Sequence, residues 1–134
     1  NTSIALRLLR EALENGGRVD GEVQKLLALI LRQLRFIWQV RALVDKGWKL
    51  QSPPDEAMDL LPSDNNVIIF CKRQAFQVSR LQDQARNFSL LDLNHCFEYA
   101  ASADLALKGI EGEIQDPAVI MELLVVNLCR RRKQ

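Results

Sequence analysis

The fold is decided by the stretch Val23-Gln24-Lys25-Leu26-Leu27-Ala28-Leu29-Ile30-Leu31-Arg32-Gln33-Leu34-Arg35-Phe36-Ile37-Trp38-Gln39-Val40. At about 100° per residue, Val23, Leu26, Leu27, Ile30, Leu34, Ile37 and then Val44 fall on one helical face. Leu29, Leu31, Phe36, Trp38, Val40 and Leu43 widen it on both sides. Only Gln24, Lys25, Arg32, Arg35 and Gln39 form a clear polar strip. The apolar arc covers well over half the circumference, against the ~100° stripe that a surface helix needs. A helix from about Val19 to Lys46, stopped by Gly47, must therefore be covered on several sides. It is the central rod of a bundle, or that rod plus part of a partner surface.

The flanking sequence divides at glycine and proline breaks into further helices. Thr2 to Glu14 places Ile4, Leu8, Leu9, Ala12 and Leu13 at helical spacing, and Asn15-Gly16-Gly17 ends it. Ser52-Pro53-Pro54-Asp55-Glu56 can start a short helix, because proline suits a first turn and acids there oppose the dipole. Pro62 to Asn66 breaks that helix and can cap the next, about Asn66 to Asn87, marked by Ile69, Phe76, Val78, Leu81, Ala85 and Phe88. A short strand is the alternative at Val67-Ile68-Ile69-Phe70, which is apolar and β-prone. Ser89 followed by Asp92 is a loose capping box, and Leu90 to Lys108 carries Leu93, Cys96, Phe97, Ala100, Ala103 and Leu107 in register. Asp116-Pro117 opens a last helix with Ile120, Leu123, Leu124 and Leu128. The expectation is an all-α protein, an antiparallel bundle of five or six helices with one long central helix.

At 134 residues the chain is one domain long, 1–134, and its abrupt start inside an amphipathic pattern suggests a C-terminal fragment of a longer protein. A net charge of +1 argues against strong non-specific attraction to nucleic acid or acidic membranes. No segment reaches the ~20 apolar residues of a membrane span, and no signal-peptide pattern is present. Cys71, Cys96 and Cys129 are odd in number and dispersed, which suits reduced thiols in a cytoplasmic protein, each a small buried hydrophobe.

Reactive chemistry finds no template. His95 is the only histidine and has no second ligand at i+3 or i+4, so no metal site is expected. There is no nucleophile elbow and no glycine-rich phosphate loop, so no catalytic residue, cofactor or small-molecule substrate is expected either. Arg130-Arg131-Arg132-Lys133 ends a helix, where cations counter the dipole. Arg41 and Asp104 each fall inside an apolar arc, and an unpaired buried charge is costly. A structural ion pair between Arg41 and Asp104 is the expectation, with Lys108 as the competing partner of Asp104.

Four parts of the chain, in order, resemble the C-terminal domain of the delta subunit of the bacterial DNA polymerase III clamp loader. They are Leu26 to Val44 with Arg35, Phe36 and Trp38; Ala75 to Ser89 with Gln84-Ala85-Arg86-Asn87-Phe88-Ser89; Ala103-Asp104-Leu105-Ala106-Leu107-Lys108-Gly109; and Asp116 to Arg131. The stretch from Trp48 to Asn66 looks longer than the family's usual loop. Arg73-Gln74-Ala75-Phe76 stands where a His-Pro-Phe-like opening is common. The resemblance implies a non-catalytic protein–protein module that joins related domains of other clamp-loader subunits in a circular collar, within a DNA-directed DNA polymerase assembly. DNA contact would be indirect or weak, and the location cytoplasmic, at the nucleoid-associated replisome. Phe36, Trp38, Trp48, Arg130 and Arg131 are the partner-interface candidates, since aromatics and arginine dominate interface energetics. The alternative is a helical DNA-binding or regulatory domain that touches phosphate through Arg73, Arg80 and Arg130 to Lys133.

Overall fold

A computed structural model describes residues 2–15, 19–109 and 116–130. The described residues are all-helical: α1 (Thr2–Asn15), α2 (Val19–Asp45), α3 (Glu56–Leu60), α4 (Val67–Arg73), α5 (Gln77–Ala85), α6 (Leu90–Leu107) and α7 (Pro117–Arg130). Val67 to Phe70 is helical, not a strand. One helix more than expected arises because the anticipated 66–87 helix is two. Gln74 leaves the helical region at φ −132° and ψ 72°, which ends α4, and α5 restarts three residues later. The restart turns Phe76 outward, to 68% exposure, although helical spacing had placed it among the core marks.

The helix ends follow the local chemistry. Asn66 caps α4, its side-chain oxygen accepting from the N–H groups of Ile68 at 2.9 Å and Ile69 at 3.3 Å. Ser89 and Asp92 form the reciprocal box at α6: Asp92 N–H donates to Ser89 Oγ at 3.0 Å, and Ser89 N–H to Asp92 Oδ2 at 3.1 Å. Asp116 caps α7 by accepting from Ala118 N–H at 3.0 Å, with Pro117 as the first helical residue. Gly47, at φ +80°, closes α2 as a Schellman turn. There Trp48 N–H donates to Leu43 C=O and Gly47 N–H to Val44 C=O, both at 2.9 Å. The stop expected at Gly16-Gly17 lies outside the described residues.

The chain comprises two compact units, Asn1–Leu31 with Asn94–Gln134, and Arg32–Leu93. In the first, α1 packs against α7, and Arg10 Nε donates to Glu122 Oε1 at 3.1 Å. Its buried residues include Leu9, Leu13, Val23, Leu27, Cys96, Ala100, Met121 and Leu124. The face of α1 is narrower than its spacing implied, with Ile4 and Leu8 exposed beside buried Leu9 and Leu13. Leu123, expected inside, is 56% exposed, while Met121 takes the interior position.

The second unit holds the C-terminal part of α2 with α3, α4, α5 and the first turn of α6. Leu34, Phe36, Ile37, Val40 and Leu43 of α2 are buried, as are Val67, Ile68, Cys71, Leu81 and Ala85. Gln39 belongs to this interior and not to the polar strip, being 2% exposed. Its amide donates to Asn65 C=O at 2.8 Å and accepts from Val67 N–H at 2.7 Å. Burying an amide is favourable only when its polar atoms are satisfied, and this one satisfies two backbone groups at the turn into α4.

Candidate interaction surface

Phe36 is enclosed in the second unit, its ring stacked on Phe70 at 4.7 Å between centroids and 22° between planes. Arg32, exposed on α2, covers both rings with its guanidinium 5.2 Å from each centroid. Phe36 therefore fills core, and Arg32 is what that position presents outward. Trp38 and Trp48 are half-buried. Arg130 ends α7, but its side chain and the whole of Arg131 lie outside the described residues.

The two charges expected to pair each have a partner one turn along their own helix. Arg41 Nη2 meets Asp45 Oδ1 at 2.8 Å, and Lys108 Nζ meets Asp104 Oδ2 at 2.9 Å, the competing partner foreseen for Asp104. The side chains of Arg41 and Asp104 are 29% and 34% exposed. Neither side chain is fully buried. Arg41 Nε is nonetheless buried with no hydrogen-bond partner.

Several large apolar side chains that periodicity assigned inward, or did not single out, lie at the surface. In the first unit these are Ile4, Leu8, Leu29, Val119 and Leu123; in the second, Val44, Met58, Leu60, Ile69, Phe76 and Leu91. Between α6 and α7 runs a groove of about 180 Å³ with Tyr99, Ala103, Ala106, Ile120 and Leu123 along it. The second unit has two grooves that share Gln51 in their linings, one of about 650 Å³ and one of about 380 Å³. Gln51 and Gln82 join in a reciprocal amide pair, at 3.2 and 3.1 Å.

Among the described residues no group of three or more His, Cys, Asp or Glu side chains could hold a metal ion. His95 Nδ1 lies 3.5 Å from Glu98 Oε2 on the same helix. Burial pushes the Cys71 thiol above its ordinary range, which makes it a poor nucleophile. No described helix is long and apolar enough to cross a membrane.

A family model described as DNA polymerase III delta subunit, C-terminal domain, matches residues 1–128. That span reaches across both compact units. No curated protein and no solved structure gives a significant match.

Proposed function

The chain belongs to the family of C-terminal domains of the DNA polymerase III delta subunit, a clamp-loader component of DNA replication, and from that premise we propose that it is a collar-type association domain. It packs against the corresponding helical domains of other clamp-loader subunits and thereby holds the assembly that loads the sliding clamp. It carries no catalytic role of its own. Its contact with DNA is at most indirect, and it works in the bacterial cytoplasm at the replisome.

The observation that carries this reading is the surplus of exposed large apolar residues, Leu8, Leu29, Leu91 and Leu123 among them, on a chain matched over 1–128. Scattered exposed leucines are ordinary, but groups of them beside a groove mark association surfaces. The groove between α6 and α7, with Leu123 at its edge and Val119 exposed one turn earlier, is one such place.

Size-exclusion chromatography of the full-length protein with the other clamp-loader subunits tests it. Co-elution at defined stoichiometry is expected, and separate elution at micromolar concentration refutes it. The competing DNA-binding reading demands affinity for duplex that falls steeply with salt, about 0.9 in log–log slope per phosphate contacted. A shallow slope and weak binding are expected instead.

A further inference from the structure

We propose that the paired grooves of the second unit form a docking site for an acidic, apolar segment of a neighbouring protein in the assembly. This rests on the association function proposed above and assigns it a place and a partner chemistry. Four cations line the two grooves, Arg41, Lys49 and Arg86 in one and Lys72 in the other, and no carboxylate lines either. Lys49 and Lys72 are exposed and have no ion-pair partner among the described residues. Arg86 is held only by Asp83 at 3.1 Å, with the two side chains 77% and 65% exposed, a pair that contributes little and opens readily. Arg41 lines the larger groove with a partly exposed side chain and spends Nη2 on Asp45 at 2.8 Å.

The remaining lining suits a peptide more than a nucleic acid. Leu50, Pro53, Ile68 and Val78 give the smaller groove an apolar wall for a side chain. The Gln51–Gln82 pair leaves each amide with a further N–H and lone pair, which match the alternating groups of a backbone. The helix ends beside the site do not oppose an anion strongly, because their carbonyls are capped. Arg86, Asn87 and Phe88 N–H groups close α5, and those of Lys46, Gly47 and Trp48 close α2. A phosphate backbone would need a longer row of uncommitted cations, and two of the four here already have acids beside them.

The test uses the full-length protein and two variants, the triple charge reversal Lys49→Glu/Lys72→Glu/Arg86→Glu and the groove-filling Ala75→Trp. All four positions are exposed, so circular dichroism should match wild type in both variants. Association with the other clamp-loader subunits is followed by stopped-flow fluorescence from 50 to 500 mM NaCl. The charge reversal is expected to slow association about tenfold or more and to flatten its salt dependence. Ala75→Trp is expected to speed dissociation to a similar degree. Wild-type kinetics in either variant overturns the proposal. So does an effect confined to self-association, read by sedimentation, or to binding of a labelled 20-base-pair duplex. A wild-type protein that joins none of the others refutes the association function itself, and this inference with it.

Discussion

Gln39 shows how much one side chain can govern. Its two hydrogen bonds reach Asn65 C=O and Val67 N–H, at the turn where Asn65 takes a positive φ of 53°. Replacing Gln39 by Leu keeps the volume and orphans both backbone groups. Unfolding free energy in urea should fall by about 2–4 kcal/mol. Cys71 gives a second expectation. Its raised thiol pKa means that the buried form resists ionisation while the unfolded form does not. Stability is then full below the ordinary thiol range and declines as pH rises through it. Iodoacetamide should label Cys71 slowly at pH 8 in the native protein and quickly in denaturant, as mass spectrometry would show. Single residues were the least legible scale in the sequence. A glutamine on a helix is as compatible with a solvent strip as with a buried bridge, because its acceptors come from a turn distant in the chain. Arg41 is a related case, for its spacing puts it inside an apolar arc while its side chain is 29% exposed. Periodicity gives a direction, but it does not say how far a long side chain reaches toward water.

At the scale of elements the sequence was easier to read, since caps and stops are local chemistry. The Ser89–Asp92 box, the Asn66 cap, the Asp116-Pro117 start and the Gly47 stop are all where residue type demanded them. Ser89→Ala should cost about 1 kcal/mol by thermal or urea denaturation. Gly47→Ala should cost about 1–2 kcal/mol, because any L side chain is strained at φ +80° even though an added Cβ meets nothing within 4 Å. The break between α4 and α5 carries no such local signal. No glycine or proline marks Gln74 to Phe76, and without such a signal a helical period runs on through a bend. The error carried to Phe76, whose inward assignment depended on one uninterrupted helix.

For the molecule as a whole, the all-helical class followed from the wide apolar arc of α2 and the family from the order of four weak motifs. The interaction surface was less legible. Phe36, picked as an anchor, is interior, whereas Phe76 and Leu91, 68% and 64% exposed, were not singled out as anchors. Aromatic residues attract attention by type, but whether they face in or out depends on packing that periodicity only approximates. The exposed set can be tested directly. Leu123→Gln should change stability by no more than about 0.5 kcal/mol, as for surface sites generally. The same substitution should weaken assembly with the other clamp-loader proteins about tenfold in a titration, if the α6–α7 groove is covered there.

The bridge from Gln39 to the turn before α4 also carries a kinetic consequence. It joins positions 26 and 28 residues apart, so closing it requires a sizeable loop to be gathered first. Such a contact belongs to the late part of refolding, after the local helices have formed. Loss of Gln39 should therefore hasten unfolding by roughly 30-fold or more while barely slowing refolding, leaving one arm of the chevron displaced and the other in place.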